Sequence, residues 1–500
     1  MTRAVETIEL RSNERSENIN DQKSHTDFHT LENEYQGVTL QQEDSVEDVT
    51  IENFNKWKAC GVVVGSFLGL TSNFGVINSI GVVQTYISEH QLSHVEASTI
   101  SWIFSVYLYL SFSVGLIAGP IFVMKGTLPT LISGTVLVVG GFMGAANCKE
   151  VWQFVLCFLL VGTGHGLNIT PLVCVVSQYW PQRYLGRASS CATIGGSIGG
   201  IVWPLLLRSL YPKIGFAWGT RILAFMCLFC MISSIVLAKE RYRKNLFSFV
   251  EDEGNDKVTS KRKLIGKAGK NILTFGALKD AKYTFLICGV FFGGLSLVLT
   301  STYYASYARA QGMSESSSYL LLTIFNAAGI VGRYVPGHMA DLWGPLNIMI
   351  LMLSLSVISI LVVWLPFGKY KGVLYAFSVL IGAFSAGIFS LIPTSLRYMP
   401  VYIEQKIPSN LPDDPFSDNV TTERTVKVPI EFGQKYGLLY FFASIGNLIG
   451  IPIASAVIGN GSQYNYSMFV VLTGCSMSLS VAFWCASRFC LVGKKFLIRV

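Results

Sequence analysis

Three side chains stand out because each carries charge, or can acquire it, within an otherwise apolar run: Arg333, His165 and Asp341. Ionisable groups in such surroundings are expensive, so they are default candidates for function. Arg333 offers a planar fork of donors and never loses its charge, which suits a carboxylate. Its alternative is a structural pairing with Asp341 or a carbonyl near a helix end. His165, flanked by Gly164 and Gly166, has an unperturbed pKa of about 6.5 and reads either as a proton carrier or as a core histidine bonded to a carbonyl. The amides of Asn78, Asn168 and Gln178 and the hydroxyl of Thr170 can donate or accept hydrogen bonds. Tyr303, Tyr304 and Tyr307 can stack on, or hydrogen-bond to, a ring-bearing solute; an aromatic belt at a membrane surface explains them equally well.

Such groups recognise a solute without making or breaking its bonds. The chain has no phosphate loop of the GxxxxGKS/T type, no metal-ligand cluster and no paired carboxylates in its apolar runs. ATP-driven pumping and enzymatic catalysis are therefore disfavoured, and neither a cofactor nor a metal is expected. Apart from Asp341, no Asp or Glu lies in any apolar run, so the usual carboxylate of a proton relay is missing. The 11 cysteines are scattered without the spacing of a disulfide framework or zinc site. Cys227 and Cys230 have CxxC spacing, but within an apolar helix, where packing is the simpler reading.

The elements that must hold these residues follow from composition. Of 500 residues, 51% are hydrophobic and only 14% charged, with a mean hydropathy of +0.47, whereas soluble chains average about a quarter charged. The chain reads as a membrane protein. Its acidic residues crowd into three stretches: before Lys58, from Lys239 to Lys282, and from Arg397 to Gly437. Setting those aside leaves about 360 residues, room for about twelve helices at roughly 20 apolar residues per span plus a short connection. The predicted spans lie near 59–82, 100–123, 128–147, 151–176, 186–207 and 217–238, then near 283–305, 318–340, 345–366, 371–394, 437–459 and 467–491.

Residues 1–58 are polar and acidic and cannot bury enough surface to offset their ordering entropy, so a disordered tail is expected. They lack the basic start and short apolar core of a cleaved signal, which leaves the first span as the targeting signal. Residues 59–238 form a first six-helix half, 239–282 a central loop, 283–491 a second half with an inserted flexible loop over 397–437, and 492–500 a short tail. The net charge of +8 does not point to nucleic acid, because its excess sits in the central loop, where 12 Lys and Arg face six acids. Lys494 and Lys495 after the last span add to that bias, which places both termini in the cytoplasm; Arg208, Lys213 and Arg221 run against it. Asn460 and Asn465 then open sequons in the last outer loop and are glycosylation candidates.

An internal repeat supports six plus six. Gly119 and Gly126 end the second span, Gly337 and Gly344 end the eighth, and the offset is 218. Ser197-Ile-Gly199 and Ser444-Ile-Gly446 are offset by 247, which is 29 more and fits an insertion within 397–437. Paired six-helix halves around a central site are the plan of many secondary transporters.

In order and spacing, these motifs resemble the major facilitator superfamily, in particular its fungal monocarboxylate-porter-like branch, over nearly all of Lys58 to Leu491. They are Asn73-Phe-Gly75 with Gly81 to Tyr86; Gly162-x-Gly164-x-Gly166 with Pro171; Tyr179-Trp-Pro-Gln-Arg183 leading to Gly195-Gly196-Ser-Ile-Gly199-Gly200; Gly332-Arg333 through Asp341-Leu-Trp-Gly344; and Tyr436-Gly437 through Gly446 to Pro452. The resemblance implies an all-α membrane protein of twelve transmembrane helices that moves a small organic solute by alternating access. It makes Arg333 the contact for a substrate carboxylate, yet the family's acidic partner falls on Gly329 and its first-span lysine on Asn78. It also implies a cytoplasmic latch in which Asp341 fills the acidic position while the first-half counterpart is Val123.

The turn glycines 119, 126, 337 and 344 permit tight turns, and Gly195, Gly199 and Gly446 permit close helix approach, either as a static interface or as a sliding contact. Some fungal relatives carry riboflavin, so two substrate classes compete: a monocarboxylate or related organic anion held by Arg333, and a heteroaromatic solute held by tyrosines and amides. Loss of the lysine and acid equivalents tilts toward the second, or toward facilitated diffusion. A transporter-like nutrient receptor is the reading of a different class. The resemblance points to the plasma membrane first and an organellar membrane such as the vacuole second.

Overall fold

The computed structural model describes residues 55–241, 275–408, 423–459 and 461–493. Most of the acidic tail, most of the central loop, Asn460 and residues 494–500 lie outside them. Among the described residues, eleven helices are long and apolar enough to cross a membrane: α1 Lys56–Gln91, α2 Thr99–Lys125, α3 Thr127–Ala145, α4 Val151–Tyr179, α5 Gln182–Leu237, α6 Ala281–Ala310, α7 Glu315–Trp343, α8 Pro345–Phe367, α9 Lys371–Arg397, α10 Phe432–Ile458 and α11 Gln463–Val492. The difference from twelve lies in α5. It is broken at Gly215, whose φ of 79° only glycine adopts freely, and its two arms cover the fifth and sixth predicted spans. Pro212 stands just before the break.

Local chemistry sets the helix ends. Gly126 (φ 82°) and Gly344 (φ 89°) turn the chain between α2 and α3 and between α7 and α8, whereas Gly119 and Gly337, expected as turn glycines too, lie inside α2 and α7. The Glu240 carboxylate accepts the backbone N–H of Thr127 at 3.2 Å and the Thr127 hydroxyl as well, capping α3. Ser314 and Ser462 accept N–H groups at the starts of α7 and α11, and Glu150 with Gln153 forms a capping box at α4. Outward faces carry exposed apolar side chains such as Ile132, Phe229, Val331 and Val362. Trp57 and Trp343 are exposed at one end, and Trp102, Trp152, Trp218, Tyr370 and Tyr464 at the other, an arrangement that matches aromatic belts at two membrane surfaces.

One expectation needs correction. The inserted stretch over 397–437 is not uniformly flexible: β1 (Tyr402–Pro408) pairs antiparallel with β2 (Glu423–Pro429), Tyr402 opposite Pro429 and Pro408 opposite Glu423. The first segment carries Ile403 and Ile407 and the second Thr425, Val426 and Val428, β-branched residues that favour strand pairing. Among the described residues the fold is otherwise helical.

Helices α1–α5 and α6–α11 form two halves that meet along two seams, α2 against α10 and the first arm of α5 against α7. At each seam glycine meets glycine. Gly119 faces the Gly433 carbonyl, and Gly186 faces the Gly337 carbonyl, so close that an added methyl would collide with backbone. Gly186 and Gly433 are themselves offset by 247. The two crossings are therefore repeat-related contacts. We call the end of the bundle that holds them, with Trp343, the latch end.

Candidate functional site

Arg333 lies on α7 about ten residues from Trp343, roughly 15 Å at the α-helical rise, which is near mid-depth of a bilayer core about 30 Å thick. It is only 4% exposed. Its Nε donates to Ser197 Oγ of α5 across the seam at 2.9 Å, and its guanidinium lies 5.4 Å from the centre of the Phe389 ring. Its Nη1 has no hydrogen-bond partner. Gly329, one turn earlier, packs against Ala386 and Ser197 and supplies no charge. A buried guanidinium with an unused donor is costly, so this nitrogen is a natural place for a ligand acceptor.

Rings surround it. Phe74 of α1 and Phe389 of α9 are 5.7 Å apart, and Phe112 of α2 stacks on Tyr440 of α10 at 5.6 Å with 14° between planes. Both pairs cross from the first half to the second, and Phe74 and Phe112 join them at 6.2 Å. Tyr440 is within electrostatic reach of Arg333, and its buried hydroxyl makes no hydrogen bond of standard geometry. The cluster thus offers flat apolar faces and two unused polar groups at one depth. Rings of this kind can stack on a flat solute, and the two polar groups can hydrogen-bond to its edge.

Asn78 donates to the Gly196 carbonyl at 3.2 Å, is exposed, and meets Asn326 of the second half over Gly200. Thr170 lies beside Gly115 on the α2 seam. The other expected solute contacts are elsewhere. His165 is fully buried inside the first half, its Nδ1 sharing a 3.0 Å hydrogen bond with the Tyr107 hydroxyl. Asn168 donates to Asn73 Oδ1 at 3.3 Å, and Asn73 donates to the Gly69 carbonyl, a polar thread within that same half. Gln178 accepts the Arg241 N–H at the latch end.

Tyr303 donates to the Ile451 carbonyl at 3.0 Å. Tyr304 donates to the Leu374 carbonyl at 2.6 Å, with Trp364 and Phe377 around it, and Tyr307 packs on Trp364 and Tyr466. Their rings therefore serve the core of the second half rather than the Arg333 cluster.

The latch end is built around Asp341. Its carboxylate accepts the Gly186 N–H at 2.8 Å and the Arg187 N–H at 3.1 Å, and pairs with Arg187 Nε at 3.3 Å. An acid of α7 thereby caps the start of α5. At the repeat-related seam Val123, the counterpart of Asp341, packs near Gly433 instead. Arg397 adds a further crossing, donating to the Ser177 carbonyl at 3.1 Å. Gly195 and Gly199 do not lie on a seam between halves: they pack on Phe67, Thr71 and Gly75 of α1, and Gly446 packs on Phe291 of α6.

At the opposite end, Arg208 of α5 lies 4.8 Å and Arg309 of α6 5.5 Å from the centre of the Tyr319 ring of α7. The Tyr319 hydroxyl reaches Thr85 of α1 at 3.4 Å. Asn465 holds the Ile458 carbonyl through its amide nitrogen at 3.0 Å, which ties up the group that glycosylation would use.

Sequence reasoning singles out Arg333 and Asp341 but misses Phe74, Phe112, Phe389 and Tyr440 as a cluster, along with Tyr319 and Arg397. The one available signal was Tyr440 itself, a hydroxyl within an apolar run that needs a partner.

Comparison with known proteins agrees with this architecture. The sequence pattern of the Major Facilitator Superfamily matches residues 63–401. The chain is 35% identical over 462 residues to Riboflavin transporter MCH5 of Saccharomyces cerevisiae, covering 91% of this chain and 82% of that protein. It is 27% identical over 439 residues to MFS transporter asaE of Aspergillus flavus, covering 88% of each. It is 29% identical over 405 residues to Aspyridones efflux protein apdF of Emericella nidulans, covering 80% of this chain and 72% of that protein.

Proposed function

The chain belongs to the major facilitator superfamily, in its fungal transporter branch, and on that premise we propose that it carries a riboflavin-like planar heteroaromatic solute by alternating access. It is a multi-pass membrane transporter of a small solute rather than an enzyme. The observation that carries the finer reading is the Arg333 cluster, with two ring pairs across the division between halves and two unused buried polar groups beside them. A flat solute entering there separates Phe74 from Phe389 and Phe112 from Tyr440, replacing protein stacking with solute stacking. The edge of the isoalloxazine ring of riboflavin, rich in carbonyl and ring-nitrogen acceptors, answers the free donor of Arg333. The riboflavin transporter among its relatives supports the same class.

Closure at the latch end and opening at the other exchange the sides from which the cluster is reached. Asp341 with Gly186, and the glycine crossings, are the contacts that part. The basic central loop joins the chain at the latch end, beyond Glu240, which supports a cytoplasmic latch. Plasma membrane is the first expectation for its location. Among the described residues Asp341 is the only buried carboxylate, and it is engaged with Gly186 and Arg187, which favours transport not driven by protons.

Arg333 also supports a second reading, a small organic anion such as a monocarboxylate. Purified protein in vesicles, supplied with labelled riboflavin or labelled lactate with and without a proton gradient, separates the two. Riboflavin uptake indifferent to the gradient is expected. Gradient-driven lactate uptake without riboflavin uptake would overturn the proposal.

A further inference from the structure

Two thiols outside the cluster stand together at the end opposite the latch. Cys148 lies in the turn between α3 and α4, Cys157 lies on α4, and their sulfurs are 3.5 Å apart. The turn that presents them is well fastened. The Lys149 and Glu150 N–H groups donate to Gln153 Oε1, and Arg221 Nη2 donates to Asn147 Oδ1 at 2.7 Å. Gly144 makes room for the pair: a methyl there would stand 2.9 Å from Cys157 Sγ. Cys148 donates to the Gly144 carbonyl at 3.3 Å. Both side chains are partly exposed, so an oxidant can reach them.

We propose that Cys148 and Cys157 form a disulfide that clips the α3–α4 turn on the non-cytoplasmic side. This rests on the reading that the latch end is cytoplasmic, because disulfides form and persist in oxidising compartments. Bonding brings the sulfurs from their present separation to about 2.05 Å, a change within the reach of side-chain rotation. The oxidant is a disulfide of the secretory lumen, carried by a protein or by oxidised glutathione. One cysteine thiolate attacks it, forming a mixed disulfide and releasing one thiolate. The second cysteine then attacks the mixed disulfide at its own partner's sulfur and releases the other. In total, two thiols lose two protons and two electrons, and the oxidant's disulfide becomes two thiols.

Burial and the neighbouring Cys157 push the Cys148 thiol up to about 12, and a thiol that ionises so poorly is a poor leaving group, which slows reduction of the bond once it is made.

The test uses full-length protein from eukaryotic membranes, denatured in the presence of an alkylating reagent, with and without prior reduction, then digested and weighed. A peptide pair joined through Cys148 and Cys157, two hydrogens lighter than the separate peptides and absent after reduction, is expected. C148S should leave Cys157 fully alkylated without reductant. Alkylation of both native cysteines without reductant overturns the proposal. A second arm, labelling reduced intact cells with a membrane-impermeant maleimide, then identifies the cause. Labelling from outside, or only after organelle membranes are opened, means the clip failed on its own chemistry, whereas labelling once the plasma membrane alone is opened means the orientation was wrong.

Discussion

The carboxylate of Asp341 accepts the backbone N–H of Gly186 at 2.8 Å, so an acid in the second half of the transporter caps a helix in the first. A carboxylate at a helix start contributes about 0.3–1 kcal/mol, up to about 2 when partly buried. The pairing with the partly exposed Arg187 adds about 0.2–1 kcal/mol. Asp341→Asn keeps one acceptor and loses the charge. Labelling of an introduced Ser190→Cys in the adjoining seam should then accelerate about three- to tenfold; an unchanged rate would show that the contact does not hold the seam shut.

Tyr440→Phe separates binding from stability. The hydroxyl makes no hydrogen bond of standard geometry among the described residues, so thermal stability should change little. A hydrogen bond to solute is worth about 0.5–1.5 kcal/mol, so riboflavin affinity should fall roughly two- to twelvefold. A variant that unfolds, or that binds normally, would remove Tyr440 from the site.

Arg333→Lys keeps the charge but not the fork. Hydrogen bonds to charged groups contribute about 1.5–3 kcal/mol, and a lysine cannot serve Ser197 and a solute edge with the same geometry. Riboflavin uptake should drop at least about tenfold while membrane abundance stays near that of the parent. Retained uptake would move the substrate site elsewhere.

Gly119→Ala and Gly186→Ala should each abolish transport, because the added methyl meets a carbonyl across a seam. Gly81→Ala is the control. Nothing lies within 4 Å of a methyl there, and helix propensity alone predicts a gain of up to about 1 kcal/mol. Equal loss in all three variants would dismiss the seam contacts as the cause.

Tyr319→Ala removes a clasp between the halves at the end away from the latch. Each exposed cation–π contact is worth about 0.5–1 kcal/mol, so labelling of an introduced Asn326→Cys from that end should rise severalfold. No rise would mean that Tyr319 does not restrict access.

The parts of the fold legible in the sequence are those where a residue type contradicts its surroundings. Arg333 and Asp341 are charges among apolar neighbours, and Gly126 and Gly344 repeat at a fixed offset where the chain must turn. Helix azimuth leaves no such mark. Tyr303 and Tyr304 are adjacent in sequence, yet which face of α6 turns inward is decided by packing on α9 and α10. The same holds for Gly195 and Gly199, whose close approach is foreseeable but whose partner, α1 rather than the other half, is not. Phe74, Phe112 and Phe389 resemble any lipid-facing phenylalanine until the halves are assembled. The division of α5 at Gly215 is legible, because the fifth and sixth predicted spans flank it; that the two arms run on as one broken helix is not.

The glycine crossings at α2–α10 and α5–α7 are copies of one contact, and the second is held by the Asp341 carboxylate. The two sides of the latch end therefore behave as unlike edges of a door. The Asp341 edge must lose specific bonds before it moves, whereas the Val123 edge can pivot on plain surface contact. On the proposed alternating access, parting would start as a wedge at the Val123 edge rather than as a uniform retreat of one half from the other.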